Sequence, residues 1–173
     1  MGVSYVYFTA ADDAAAAEAE RRPGGPLGWP EVTGHRKAGL FRKEPVVTEL
    51  GPAYEGFEAG EYDPVVTMGT LEALLTGRDY DVVVEDPRQG GSPSRDADPR
   101  EDRGVVTVTD ALRDALVDAD DARLREVAAQ WGRTEELEDG GSVEDHVGFL
   151  RRLRGLARSS AAGSQKLYCY FAV

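Results

Sequence analysis

Cysteine is nearly absent from this sequence, which contains one, Cys169, in 173 residues. A single thiol excludes an intramolecular disulfide, so the stability of the fold must come from an apolar core. No apolar run approaches the roughly 20 residues that span a bilayer, and no basic segment followed by an apolar run opens the chain. A chain of this length is large enough to bury one core. These absences predict a single-domain, soluble, cytoplasmic protein that does not bind membranes.

Basic residues are also scarce, with 20 Lys and Arg against 32 Asp and Glu and a net charge of −12. The imbalance is concentrated between Glu44 and Asp86, where eleven acids accompany one base, Arg78. A surface of this sign repels phosphate backbones and anionic lipids, so nucleic acid is not an expected partner. A small basic island precedes the acidic stretch and consists of His35, Arg36, Lys37, Arg42 and Lys43.

Motifs that bind phosphate or activate a nucleophile are missing: there is no P-loop, no G-x-G-x-x-G after a strand and no G-x-S-x-G elbow. The two histidines, His35 and His146, are more than a hundred residues apart and outside any metal-ligand spacing. We expect His146 to pack beside the apolar stripe of a helix and Cys169 to behave as a small buried hydrophobe. The sequence therefore predicts no catalytic residues, no cofactor and no metal site.

The last part of the chain has the clearest pattern. Ser142 and Asp145 have the spacing of a capping box, and apolar residues recur at intervals of three and four up to a stop near Gly163. The uncharged run Leu167 to Val173 follows, and its apolar residues would occupy both faces of a strand. Val3 to Phe8 is similar in character, which predicts that the two strands are neighbours in one sheet.

Further start signals divide the rest of the chain. Asp63, Thr109 and Asp120 each precede a segment of helical periodicity, and a short strand is predicted at Val105 to Val108. We predict one α+β domain over residues 1–173, with a small mixed sheet that includes the N- and C-terminal strands and is covered by helices. Three further predictions are a strand at Gly39 to Phe41, a helical turn at Pro45 to Leu50, and a mobile loop at residues 87–104.

Aromatic and acidic residues alternate in the stretch that leads into the Asp63 helix. Two interpretations are open. The aromatics are anchors on a surface that recognises a basic protein, with the acids steering the encounter; or the aromatics pack inward and the acids keep the segment soluble. The candidate binding residues are Tyr54, Glu55, Phe57, Glu58, Glu61, Tyr62 and Asp63.

The order of these elements, together with the stretch Leu74-Leu75-Thr76-Gly77 that closes the Asp63 helix, resembles the YfbM-like family of small bacterial proteins. The polar segment at residues 87–104 departs from the family. The resemblance implies a single α+β domain with no established activity, and it supplies no catalytic residues.

We therefore expect a non-enzymatic protein-interaction module, of the immunity or regulatory kind, whose acidic surface binds a basic protein partner. The alternative is a small-molecule-binding protein or enzyme with a pocket near residues 51–63.

Overall fold

The computed structural model describes residues 3–28, 30–37, 43–49, 53–94, 102–137 and 140–173. Its elements in the first half are β1 (Ser4–Ala10), α1 (Asp13–Arg21), β2 (Pro30–Lys37), β3 (Lys43–Glu49), β4 (Gly56–Gly60), α2 (Val66–Thr76) and α3 (Tyr80–Val84). Those of the second half are β5 (Arg103–Thr107), α4 (Asp110–Asp118), α5 (Asp121–Trp131), α6 (Val143–Ala162) and β6 (Lys166–Ala172). Within the described ranges, no helix has the length and apolar content to cross a membrane.

The main sheet has four strands in the order β4-β1-β6-β5, so the first and last strands of the chain form its centre. This confirms the α+β fold and the pairing of the terminal strands, with Tyr7 opposite Cys169. The predicted mixed sheet is a correction, because all three strand pairings are antiparallel. An apolar pattern shows which faces of a strand are buried, but it carries no information on the direction of the neighbouring strand.

The two faces of β6 contribute to two separate apolar clusters. Leu167 and Cys169 lie on the side covered by the helices α2, α4, α5 and α6. Tyr168 and Tyr170 lie on the other side, which is covered by α1. All four side chains are buried, as the two-faced apolar run predicts.

Local capping signals position most of the helices. Ser142 and Asp145 form the predicted capping box at the start of α6. Thr109 and Asp120 accept hydrogen bonds from the backbone at the starts of α4 and α5. Asp63 accepts from the amides of Val65 and Val66 at 2.8 and 2.7 Å, although α2 begins two residues after the predicted Pro64. The helix ends at Gly77, which has a φ of 71°.

The three predictions for Gly39 to Phe41, Pro45 to Leu50 and residues 87–104 have different outcomes. The helical turn at Pro45 to Leu50 is wrong, because β3 runs through Glu49 and pairs with β2, which overrides the local preference. The predicted strand at Gly39 to Phe41 lies outside the described residues. In the segment 87–104, residues 95–101 are also outside them, and Arg103 and Gly104 begin β5.

The first part of the same segment is attached to the sheet. The amide of Gly90 donates to the Thr107 carbonyl at 3.2 Å, and the Thr107 amide donates to the Gly91 carbonyl at 2.7 Å. Arg88 donates to Asp13 at 3.0 Å, and the Tyr168 hydroxyl donates to the same carboxylate oxygen at 2.7 Å. Residues 88–91 therefore connect the outer edge of β5 to α1.

Strands β2 and β3 form a separate two-stranded antiparallel ribbon. Among the described residues, neither strand has a Cα atom within 8 Å of another helix or strand. The base of the ribbon is held beside the main body, where the amide of Ala53 donates to the Pro26 carbonyl at 3.2 Å. The ribbon thus stands away from both apolar clusters.

We predict that Ser142→Ala lowers the free energy of unfolding by about 1 kcal/mol, because it removes the capping hydroxyl of α6. Chemical denaturation measures the change. Ser159→Ala is the matched control, since it makes the same substitution within the helix and exchanges Ser for a better helix former. A loss of stability equal to that of the control would contradict a capping role.

Candidate functional site

Tyr62 is the centre of an aromatic cluster that closes the helix-covered side of the sheet. Its ring stacks on Phe149 with centroids 3.9 Å apart and on Trp131 at 5.4 Å. Its hydroxyl lies 2.9 Å from Nδ1 of His146. The Trp131 indole N–H donates to the carbonyl of Thr67 at 3.1 Å. Tyr62 thus joins the end of β4 to α5 and α6.

The other two candidate aromatics also contact the core. Phe57 lies 6.2 Å from Tyr7 and 6.0 Å from Phe149 between ring centroids, and the Arg152 guanidinium covers it at 4.3 Å. Tyr54 turns to the opposite side of the sheet, where its hydroxyl donates to the Ala15 carbonyl at 2.8 Å. The structure therefore divides the predicted aromatic anchors between the two core clusters.

The candidate acids separate from these aromatics. Glu55, Glu58 and Glu61 are exposed. Glu55 precedes β4, Glu58 lies in it and Glu61 follows it, and β4 is one edge of the main sheet. Asp63 is half-buried; it caps α2 and accepts a hydrogen bond from the Tyr5 hydroxyl at 3.2 Å. The arrangement is that of the second interpretation, in which aromatics pack inward and acids face water. Binding of a partner at the β4 edge stays a prediction. The exposed groups there that could contact a partner are the three carboxylates of Glu55, Glu58 and Glu61.

His146 is completely buried in the same aromatic cluster. Its Nδ1 contacts the Tyr62 hydroxyl, and its Nε2 has no hydrogen-bond partner among the described residues. A Cβ on Gly132 would come within 2.8 Å of Nε2, so a glycine is needed beside the ring. Burial lowers the pKa of His146, because the charged imidazolium loses its hydration. The imidazole therefore packs in the core in its neutral form, with the Tyr62 hydroxyl as its hydrogen-bonding neighbour.

Two pockets adjoin the predicted binding segment. One, of about 250 Å³, lies between the end of β4 and the start of α6, and its acidic lining is Glu61, Glu136 and Asp145. The other, of about 340 Å³, is lined chiefly by alanines beside Tyr54 and Glu55. Across the described ranges, no three His, Cys, Asp or Glu side chains come together as a metal site.

A surface that the sequence pattern did not single out surrounds α3. Tyr80, Val82 and Val84 are exposed by 37%, 47% and 43%, while Val83 alone is fully buried. Asp79, Asp81 and Glu85 are exposed among them. We call these six exposed residues the α3 face. A run of three valines is too short to distinguish a helix from a strand. The sequence signal for a helix is the spacing of four between Tyr80 and Val84, with Asp79 as the cap that precedes them.

Neighbouring residues of α2 extend the apolar part of the α3 face. Val65 and Val66 are exposed by 40% and 42% at the start of that helix. The Tyr80 ring lies against Gly69, where an added Cβ would come within 3.1 Å of its Cε2 atom. None of the carboxylates of the α3 face forms an ion pair with a described residue.

No protein-family model matches the chain, and no curated protein or solved structure is significantly similar to it. The YfbM-like resemblance therefore stays a prediction, and the function must be argued from the residues themselves.

We predict that Tyr62→Ala lowers the free energy of unfolding by about 3 kcal/mol, because it removes a ring stacked between Phe149 and Trp131. Glu61→Ala is the matched control and should change stability by less than about 0.5 kcal/mol, since its side chain is exposed. Urea unfolding measures both. Equal, small effects would mean that Tyr62 is a surface residue.

We predict that stability falls with acidification below about pH 6.5, the ordinary pKa of histidine. The lowered pKa of buried His146 means that the unfolded chain takes up a proton at a pH where the folded chain does not. The free energy of unfolding should therefore fall by up to about 1.4 kcal/mol per pH unit until the pH reaches the pKa of the folded state.

Denaturation midpoints between pH 5 and 8 test this prediction. His146→Gln should flatten the slope, whereas His35→Gln should keep it, because His35 is exposed on the ribbon. The slopes are compared rather than the absolute stabilities, so a uniform loss of stability in a variant does not affect the test. A wild-type slope unchanged by His146→Gln would show that another group titrates.

Proposed function

We propose that the protein is a non-enzymatic cytoplasmic interaction module, of the immunity or regulatory kind, that binds a basic protein through the α3 face. The observation that carries this proposal is the presence of large exposed apolar side chains among unpaired carboxylates on one short helix. Single exposed apolar residues are common on protein surfaces, whereas a contiguous group is typical of interaction sites.

The α3 face combines the two contributions that a protein interface needs. Tyr80 offers a ring with few rotatable bonds, and Val84, one helical turn later, adds apolar area beside it. The surrounding acids steer a basic partner toward the face and disfavour acidic ones. The exposed acids beside β4 strengthen the negative potential of the molecule without adding exposed aromatic area.

The alternative function, a small-molecule binder or enzyme with a pocket near residues 51–63, has weaker support. The pocket beside Tyr54, of about 340 Å³, is at the lower end of the roughly 300 to 1,000 Å³ of common ligand sites, and the pocket beside Glu61, of about 250 Å³, is below that range. The polar side chains of the pocket beside Glu61 are acids and a tyrosine, and the neighbouring His146 points its free nitrogen at Gly132. This set lacks the paired base and nucleophile that hydrolytic chemistry requires.

A capture experiment from native lysate tests the proposal at low and moderate salt. We expect the immobilised wild type to retain a basic protein that Tyr80→Ser with Val84→Ser does not retain. Asp81→Asn with Glu85→Gln should weaken retention and reduce its dependence on salt, because it removes charges that attract the partner. The retained protein is identified by mass spectrometry, and its binding is repeated with the purified protein.

Glu55→Gln with Glu58→Gln is the matched control, since it removes two exposed acids beside β4 and leaves the α3 face intact. The proposal expects this control to keep the partner. Loss of the partner in the control alone would move the binding site to the β4 edge. If the wild type retains no basic protein that the variants lose, the proposal is wrong.

A further inference from the structure

Strand β4 is an outer edge of the main sheet and pairs with β1 alone among the described strands. The amide of Thr9 donates to the Glu55 carbonyl at 2.9 Å, which fixes the residues of this segment that bond to β1. Backbone groups alternate in direction along a strand, so those of Gly56 and Glu58 are directed away from β1. Within the described ranges, neither residue forms a hydrogen bond on that outer side.

The two edges of the main sheet are protected to different extents. On β5, the outward backbone groups of Thr107 are bonded to Gly90 and Gly91. Of the helices and strands that the structure describes, only β1 and α6 approach β4, and α6 packs on the face of the sheet. An open strand edge is a template on which another extended chain can pair. The β4 edge is therefore the side of the sheet at which a strand can be added.

The two faces of the β4 edge differ in chemistry. Glu58 lies opposite Val6 on the side covered by α1, and its side chain is exposed. Phe57 lies opposite Tyr7 on the side covered by the helices, where the Arg152 guanidinium covers its half-buried ring at 4.3 Å. The side chains of an added strand would alternate between these two faces. The favoured neighbours are a basic residue beside Glu58 and an apolar residue beside Phe57.

Both ends of β4 carry further negative charge. Glu55 precedes the strand and Glu61 follows it, and neither has an ion-pair partner among the described residues. Two more acids, Glu136 and Asp145, line the pocket of about 250 Å³ at the Glu61 end. A seven-residue extended segment spans at most about 20 Å between its end residues and would reach from one end of this edge to the other. Such a segment would meet acidic groups along its whole length.

A second copy of the chain fits the β4 edge less well than a basic segment. Pairing of two β4 strands would bring the carboxylates of both copies together, and like charges on neighbouring strands are destabilising. Nucleic acid is repelled by the same carboxylates. The charge of the edge therefore disfavours pairing with itself and favours a partner of opposite sign.

We infer that the outer edge of β4 binds an extended segment of another protein as a fifth strand of the main sheet, with Lys or Arg beside Glu58 and apolar residues beside Phe57. Main-chain hydrogen bonds to Gly56 and Glu58 hold the segment, and its alternating side chains give specificity. This surface differs from the α3 face, so the inference does not rest on the proposed function.

A blocked heptapeptide of alternating lysine and valine, with lysine at both ends, is the probe. Fluorescence anisotropy measures its binding to the full chain at low salt, where we expect saturable binding. A heptapeptide of alternating glutamate and valine should not bind, because it places acids beside Glu58. Hydrogen exchange followed by NMR locates the contact: the amides of Gly56 and Glu58 should exchange more slowly when the lysine peptide is bound.

Two N-methylated forms of the lysine peptide separate backbone pairing from charge attraction. In an added strand, the N–H groups of alternate residues face β4 and those of the other residues face solvent. Methylation of the lysine amides or of the valine amides leaves every charge in place. We expect one form to lose binding and the other to retain it.

Glu58→Lys should weaken binding of the lysine peptide roughly tenfold, because an attractive neighbour becomes a repulsive one. The same variant should bind the glutamate peptide, which also shows that it is folded. Glu85→Lys is the matched control, since it makes the same change in net charge at an exposed carboxylate of the α3 face. It should leave the affinity for the lysine peptide unchanged.

Four results would overturn the inference. The first is a lysine peptide that shows no saturable binding, and the second is equal binding of the two N-methylated forms. The third is equal weakening by Glu58→Lys and Glu85→Lys, which would place the peptide elsewhere. The fourth is protection of the Gly56 and Glu58 amides that grows with protein concentration in the absence of peptide, which would assign the edge to a second copy.

The failure of this inference is distinguishable from the failure of the proposed function. The lysate experiment depends on Tyr80 and Val84 of the α3 face, whereas the peptide experiment depends on Glu58 and the backbone of β4. Either result can be negative while the other is positive.

Discussion

The burial of β6 on both faces is the constraint on which the rest of the fold depends. Each large apolar side chain that leaves water contributes about 1.5 to 3 kcal/mol, and β6 directs Leu167 to one side and Tyr168 to the other. Two covering layers are therefore required. The helices α2, α4, α5 and α6 form the thicker layer, and α1 with the turn after it forms the thinner one. Both terminal strands lie at the centre because they carry the most apolar residues.

The thicker layer also explains why the aromatics around β4 do not face solvent. Tyr62 and Phe149 stack where the edge of the sheet meets α6, and Trp131 completes the cluster from α5. The neighbouring acids extend into water because burying an unpaired carboxylate is far more costly than leaving it hydrated. Stability and surface charge are thus provided by adjacent residues of one short segment. By contrast, among the described helices and strands α3 contacts α2 alone, and Val83 is its one fully buried side chain, so its other apolar groups are exposed.

The acidic residues are distributed unevenly along the chain, and many of those between residues 44 and 86 are exposed. The strands of the ribbon carry equal numbers of acids and bases, whereas the α3 face presents three carboxylates beside exposed apolar groups. Exposed charges act over a distance of about 10 Å at moderate salt. Ionic strength therefore controls how strongly the α3 face attracts a charged partner. Helix α3 buries Val83 and lays Tyr80 against α2, while its other large side chains are exposed.

Local signals were sufficient for much of the fold. The caps at Ser142, Thr109 and Asp120, the helical periodicity of α6 and the two-faced burial of β6 all depend on residues within a few positions of one another, so the sequence determined them by itself. Tertiary structure alone decided the antiparallel sheet, the strand that runs from Pro45 to Glu49 in place of a helical turn, the inward direction of Tyr54, Phe57 and Tyr62, and the exposure of Tyr80. These features depend on partners that are distant in sequence. An alternating pattern of aromatic and acidic residues does not by itself show which of its side chains the rest of the chain will bury.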